Sequence, residues 1–350
     1  MKTIVLTGGG TMGHITPNLA LLPKLKNHFE RIVYIGSEKG IERDIIANYP
    51  EITYYPITTV KLVRSLSLKN LLIPYKLIKG KRQAQKILTE IKPDVIFSKG
   101  GFVSVPVALA GKKLGIPLIL HESDFSLGLA NKITKRKAKV VLTTFKDTAD
   151  KISNGLFVGP PIAKIKITQA EKTRIKNMYN LNSDKPICLV VGGSLGASSI
   201  NKTVIEALDK LLENYQVLHI TGKNKSIDIK RTGYTQVDFS THLPILMSIS
   251  EIAITRGGSN VIFELLSHNV PMLIIPLKRG SRGDQIQNAN YFEKKGYALT
   301  LFENNLNAQN LINSIKQLQT RANLMRANTK YALPKDSLDK IYNTIIKYCK

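Results

Sequence analysis

The chain sets a single imidazole at the end of a glycine-rich run, Gly8-Gly9-Gly10-Thr11-Met12-Gly13-His14. An imidazole with an ordinary pKa near ~6.5 is largely neutral in a cell and can take the proton of an attacking hydroxyl. The glycines have a separate use. A strand that runs into glycine and then a helix leaves bare backbone N–H groups at the helix N-terminus, where they and the helix dipole attract phosphate. Glycine is needed because a side chain blocks the approach and the turn calls for positive φ. Thr16 is the expected N-cap of the next helix and Pro17 its first residue. The plainer alternative for His14 is a structural ring bonded to backbone.

Three more such turns follow: Gly100-Gly101, Gly192-Gly193-Ser194, and Gly257-Gly258-Ser259-Asn260. At the third turn Ser194 and Ser198 stand where a helix begins, with Ile200, Val204, Leu208 and Leu211 as its buried face. Glu264 lies one helical turn past Asn260, where a carboxylate can accept both hydroxyls of a ribose, although a surface glutamate has the same spacing. Asp284 and Gln285 open a further helix and suit sugar hydroxyls better than phosphate. No turn is followed by the Lys-Ser/Thr pair of a P-loop. Gly8, Gly10 and Gly13 have the dinucleotide-fingerprint spacing, but no acidic residue ends the next strand and Glu38 is only a loose candidate, which disfavours a nicotinamide enzyme. With no strand-flanked Asp-x-Asp pair and no His/Cys cluster, neither a metal nor another cofactor is expected.

The elements that must hold these turns are short β-branched runs alternating with amphipathic stretches. Residues 3–7, 31–36, 94–100, 117–123 and 139–144 read as buried parallel strands, and the rhythm restarts at 185–193 and ends near 270–277. That pattern is α/β, with two Rossmann-like domains expected to face each other across a cleft. The division expected is residues 1–162, 163–335 and a last helix, 336–350, returning to the first domain. The net charge of +26, from 51 Lys and Arg against 25 Asp and Glu, favours a polyanionic partner, unless it reflects genome composition. Cys188 and Cys349 form no disulfide framework, and neither a signal peptide nor a spanning segment is visible, so an intracellular location is expected.

The segments GGGTMGHITPNLAL, SKGGFVSVPVALAGKKLGIPLILHESD, GLANK, GGSLGASSIN and RGGSNVIFELL, with DQIQNA beyond, resemble the MurG family of peptidoglycan N-acetylglucosaminyltransferases. The resemblance keeps motif order and spacing from the first strand to about residue 300. It implies a GT-B fold and inverting transfer from UDP-N-acetylglucosamine (UDP-GlcNAc) to the 4-hydroxyl of N-acetylmuramic acid (MurNAc) on lipid I, giving lipid II. It also implies acceptor binding by the N-terminal domain and donor binding by the C-terminal one. His14 then falls on the family histidine and is the candidate base. Thr11, Met12 and Gly13 fall near the donor sugar, Gly193 and Ser194 on the diphosphate, Ser240 on the uracil edge, and Ser259, Asn260 and Glu264 along the nucleotide. Asp284 and Gln285 replace a Gln-Gln pair that grips the sugar. Gly9, Gly10, Gly100, Gly101, Asp124 and Asn131 fall on the acceptor side.

The chain departs from the family at three places. Asp124 stands for an asparagine, Lys164 is the nearest cation to a displaced arginine, and Met12 replaces a loop glycine. Lysine keeps that charge without bidentate geometry.

Residues 60–88 mix Leu, Ile and Tyr with eight Lys and Arg. Such a segment suits peripheral contact with the anionic cytoplasmic leaflet of the cell membrane, although an amphipathic helix packed on the sheet has the same pattern. Cell-wall synthesis proteins are possible further partners. The competing readings are a GT-B transferase acting on another membrane lipid such as diacylglycerol, a UDP-GlcNAc 2-epimerase, and a non-enzymatic polyanion binder. Nucleic acid is not an expected partner, since no RRM, KH or aromatic stacking motif is present.

Overall fold

A computed structural model describes residues 2–60, 73–163, 165–193, 196–278, 283–329 and 332–350. The chain forms two compact units, Met1–Ala163 with Pro334–Lys350, and Lys164–Leu333. Lys164, Ser194 and residues 61–72 of the basic segment lie outside the described residues.

The first unit is a parallel sheet of seven strands: β1 (Thr3–Thr7), β2 (Arg31–Ser37), β3 (Ile52–Ile57), β4 (Val95–Ser98), β5 (Leu118–Glu122), β6 (Val140–Thr143) and β7 (Gly155–Phe157). Its order is β3-β2-β1-β4-β5-β6-β7, so β1 pairs with both β2 and β4 and the winding reverses between β1 and β4. Strand alternation splits the core in two. Ile4, Leu6, Tyr34 and Phe97 face α1 (Thr16–Leu25), while Val5, Val33, Ile35 and Ile96 face α3 (Ile73–Ile91) and α4 (Ser104–Lys113). Between β2 and β3 lies the short α2 (Ile41–Ile46), and α5 (Leu129–Thr134) and α6 (Lys146–Ala149) follow β5 and β6.

The second unit opens with α7 (Gln169–Met178), whose first turn is closed by a Thr168/Glu171 capping box. Its six parallel strands are β8 (Ile187–Val191), β9 (Gln216–Ile220), β10 (Tyr234–Val237), β11 (Ile252–Thr255), β12 (Met272–Ile274) and β13 (Ala298–Thr300). The order β10-β9-β8-β11-β12-β13 reverses between β8 and β11. Helices α8 (Ser198–Glu206), α9 (Leu208–Leu212), α10 (Leu243–Ser248), α11 (Ser259–Ser267), α12 (Asp284–Lys294) and α13 (Ala308–Thr329) complete it. The final helix, α14 (Ser337–Tyr348), belongs to the first unit, where Ile341 and Ile345 are buried in the core cluster beside Leu21 and Leu25 of α1.

Three strands go beyond those read from the sequence, β3, β7 and β13, and all three are sheet edges. An edge strand is not buried on both faces, so it lacks the continuous apolar run that marks its central neighbours. β3 even carries Pro56, which an edge tolerates. The second sheet therefore ends at β13 and not near residue 277. The expected cap at Thr16 is also corrected. Ile15 takes the N-cap position, and the Thr16 hydroxyl donates back to the Met12 carbonyl at 3.2 Å, because a 3-10 turn over Met12–His14 runs directly into α1. The helix expected after Gly193 breaks at Ala207 into α8 and α9, yet Ile200, Val204, Leu208 and Leu211 are all buried.

Among the described residues no helix is long and apolar enough to cross a membrane. α3 buries Ala84, Leu88 and Ile91, while Tyr75 and Ile78 are exposed among Lys76, Lys79 and Lys81.

His219 on β9 is buried, 3.0 Å from the Tyr234 hydroxyl and 3.1 Å from Asn201 Oδ1, and desolvation pushes its pKa down to about 4. Below its ordinary pKa the unfolded ring binds a proton that the folded ring refuses. Its contribution is thus complete above about pH 6.5 and lost as the pH falls to about 4, amounting to about 3 kcal/mol at the acid limit. Denaturant unfolding between pH 4 and 7 should show a shallower acid loss for His219→Gln than for the unchanged chain.

Candidate active site

In the first unit the reversal of winding brings the loop after β1 beside the loop after β4. The two interlock through absent side chains. Gly101 has φ +78°, and a Cβ there would lie 2.5 Å from the Gly9 carbonyl oxygen and 3.3 Å from His14 Nδ1. Beneath the first loop, the buried Tyr34 hydroxyl donates to the Gly8 carbonyl at 2.7 Å. The buried carboxylate of Glu42 accepts the N–H of Gly10 at 3.1 Å and of Ser37 at 3.0 Å, and also the Ser37 hydroxyl. The loop is thus pinned from below.

His14 ends the 3-10 turn, half-buried, with Nδ1 3.0 Å from the Thr11 hydroxyl. Desolvation and the nearby Lys99 charge push its pKa down to about 4, against Asp124, a Gly9 backbone hydrogen bond and Glu42. Such a ring is neutral at physiological pH and a weaker base than a free imidazole. Thr11, Met12 and Gly13 surround it in the same turn, and Gly9 and Gly10 lead into it.

The floor of the β4 side is polar and buried. Lys99 Nζ lies 2.6 Å from His121 Nδ1 and 2.6 Å from Ser123 Oγ. Glu122 accepts the N–H groups of Asp124 at 3.1 Å and Gly128 at 2.8 Å, and the Asn131 amide at 2.9 Å. Burial drives the Lys99 ammonium down and the Glu122 carboxyl up. Asn131 Oδ1 is buried without a hydrogen-bond partner, and its amide group packs against Gly100. Gly9, Gly10, Gly100, Gly101, Asp124 and Asn131 therefore gather around His14 at one mouth.

Sequence reasoning missed Lys99, Glu42 and Glu122 here. The acidic residue that serves the first loop is Glu42, not Glu38, whose exposed carboxylate accepts the Thr58 hydroxyl at 3.0 Å. The available signal was a charged residue amid apolar neighbours at a strand end (Lys99, Glu122) or at the start of a helix (Glu42).

In the second unit the loops after β8 and β11 lie together for the same topological reason. Gly193 has φ +89° and open space where a Cβ would point. Buried Arg256 donates to the Ile275 carbonyl at 3.1 Å, to Ser199 Oγ at 2.8 Å and to Glu303 at 2.8 Å. Burial alone would raise Glu303, but the hydrogen bonds from Ser199, Lys278 N–H and Arg256 outweigh it and hold the carboxyl low. The Gln285 side-chain oxygen accepts the N–H of Gly257 at 3.3 Å and of Leu277 at 2.9 Å, leaving only its amide nitrogen for a ligand. Asn288 fixes the Gly257 carbonyl at 2.9 Å.

Ser259 is buried at the first position of α11 with Asn260 beside it, and Asp284 is the first residue of α12, after Gly283. Glu264 is half-buried, and desolvation pushes its carboxyl up to about 7. The Ser240 side chain is spent on the fold, since its hydroxyl lies 2.7 Å from the Tyr179 hydroxyl and accepts the His242 N–H at 3.0 Å. Only its backbone is left to read a base. Among the described residues, no three His, Cys, Asp or Glu side chains converge as a metal ligand set.

Two Rossmann-like units with glycine turns at their switch points are the architecture of the GT-B glycosyltransferases. Residues 4–143 match the glycosyltransferase family 28 N-terminal domain and residues 187–341 the family 28 C-terminal domain. A Clostridium kluyveri protein named UDP-N-acetylglucosamine--N-acetylmuramyl-(pentapeptide) pyrophosphoryl-undecaprenol N-acetylglucosamine transferase is 44% identical, covering 99% of this chain and 100% of its own. A Staphylococcus aureus protein of the same name is 42% identical, covering 99% of each. The crystal structure of Acinetobacter baumannii MurG superposes with a TM-score of 0.76 at 22% identity, covering 99% of this chain and 100% of its own. The calicheamicin glycosyltransferase CalG4 shares the fold with a TM-score of 0.71 at 12% identity, covering 99% of this chain and 98% of its own. The chain therefore belongs to the MurG family within glycosyltransferase family 28.

Gly101→Ala puts a methyl group into the Gly9 carbonyl at a left-handed backbone position. It should cost about 1–3 kcal/mol in denaturant unfolding and lower turnover at least tenfold, while the fold of the second unit is kept.

Proposed function

We propose that the chain transfers N-acetylglucosamine from UDP-GlcNAc to the 4-hydroxyl of the MurNAc of lipid I, releasing UDP and forming lipid II for peptidoglycan synthesis. The carrying observation is identity of 42–44% to transferases of that name across 99% of this chain. The first unit takes the acceptor and the second the donor.

The glycine loops after β1 and β4 receive the pyrophosphate of lipid I, since ligands of parallel α/β sheets bind at the switch point. His14 accepts the proton of the 4-hydroxyl as that oxygen attacks the anomeric carbon and UDP leaves from the opposite face. Its imidazolium is then stabilised by Asp124 and Glu42, both of which favour the charged ring. The loop after β8, with Gly193 and Ser194, and the start of α11 neutralise the departing diphosphate through N–H groups and the helix dipole. Lys164 supplies further charge, and Asp284 and the Gln285 amide bind the sugar. Glu264 accepts the ribose hydroxyls, and the Ser240 backbone reads the uracil.

Lipid I is a membrane substrate, and the basic stretch 60–88 seats the first unit on the anionic cytoplasmic leaflet as a peripheral protein. The exposed Tyr75 and Ile78 beside Lys76 and Lys79 support this.

Incubation with labelled UDP-GlcNAc and a short-chain lipid I analogue should give a disaccharide lipid. Labelled diacylglycerol or free N-acetylmannosamine instead would overturn the assignment. His14→Ala should lower kcat by about 10²–10⁴. An ionised Glu264 accepts hydroxyl hydrogen bonds more strongly than the neutral acid, so the KM for donor should rise as pH falls through about 7. Glu264→Ala should raise that KM and erase its pH dependence, with kcat changed little.

A further inference from the structure

The edge strand β13 ends in a carboxylate that reaches back across the second sheet. Glu303 opens a 3-10 turn, Glu303–Asn305, just past β13. Strands β11, β12 and β13 run parallel, with Thr255 beside Ile274 and Ile274 beside Thr300, so the loops that follow them leave from one end of the sheet. There Glu303 Oε1 accepts the Ser199 hydroxyl at 2.6 Å and the Arg256 guanidinium at 2.8 Å, while Oε2 accepts the Lys278 N–H at 3.2 Å. Ser199 lies in the first turn of α8, Arg256 directly follows β11, and Lys278 lies between β12 and α12. One side chain thus ties together the segments that the donor reading gives to the diphosphate, the nucleotide and the sugar.

A carboxylate suits this place because both its oxygens accept and neither donates, and its charge answers that of Arg256, whose side chain is only 9% exposed. The tie continues at the preceding residue, where the Gln285 side-chain oxygen, from α12, accepts the Leu277 N–H at 2.9 Å. Consecutive N–H groups of the loop after β12 are therefore held from two sides, by Glu303 and by Gln285. An amide at position 303 would keep its oxygen for Arg256 and Ser199 and turn its NH2 toward the Lys278 N–H, donor against donor. The link to the loop after β12 is the one that such a change breaks.

We propose that Glu303 is a positioning residue for UDP-GlcNAc, its carboxylate holding the loop after β12 in place against the start of α8 and the end of β11, so that sugar and diphosphate are gripped in one geometry. The inference rests on the donor reading above and is tested so that the two can fail separately. Binding of UDP-GlcNAc, and of UDP, which keeps the diphosphate but has no sugar, is measured by calorimetry on the full chain. Backbone hydrogen exchange in the loop after β12 is followed alongside.

Glu303→Gln should weaken UDP-GlcNAc about tenfold and UDP less than about threefold, and should speed exchange in the loop after β12. Glu303→Asp, which keeps the charge on a shorter stem, should show the same selective loss at smaller size, and it carries the test if Glu303→Gln does not fold. Equal weakening of both ligands in a folded variant, or no change in either, overturns the proposal and leaves the donor site standing. If the unchanged chain binds neither ligand, the donor reading itself fails, and the role of Glu303 with it.

Discussion

The constraint on which the rest depends is the reversal of strand order in each parallel sheet. Between β1 and β4, and again between β8 and β11, neighbouring strands send their following helices to opposite faces, and the loops at that point have no helix above them. Two adjacent loops pack against each other there, and glycine follows because only backbone can pack this closely. The missing Cβ of Gly101 is what lets the Gly9 carbonyl and the His14 ring share one small volume.

Such loops would be loose if glycine were all they contained. They are fixed by polar groups buried below them: Tyr34 and Glu42 under the β1 loop, Lys99, His121 and Glu122 beside the β4 loop, and Arg256, Glu303 and Gln285 in the second unit. A half-satisfied network of this kind would cost more stability than an apolar core. Within the β4-side network, His121 Nε2 and Asn131 Oδ1 are buried without a hydrogen-bond partner, the latter beside Gly100. In the second unit Glu264 is likewise desolvated, which pushes its carboxyl up to about 7.

The central strands, the four glycine turns and the family were legible in the sequence because continuous apolar runs and glycine spacing are local signals. The edge strands were not, since β3, β7 and β13 are short or carry proline and polar residues. Thr16 misled for a related reason: cap preference is local, but the 3-10 turn holding His14 passes directly into α1 and displaces the cap. Glu38 and Glu42 are four residues apart, and only the tertiary fold decides which one turns under the glycine loop. Ser240 and Gln285 were expected as site positions, but the Ser240 hydroxyl and the Gln285 side-chain oxygen are engaged within the fold by contacts 61 and 28 residues away in sequence.

Division of labour between the two switch points is tested most directly by backbone hydrogen–deuterium exchange of the whole chain with and without UDP-GlcNAc. The expected result is slowed exchange in the loops after β8 and β11 and at the starts of α11 and α12, with the loops after β1 and β4 slowed only when a lipid I analogue is added. Protection by UDP-GlcNAc alone at Gly8–Gly13 and Gly100–Gly101, with the second unit unchanged, would contradict it.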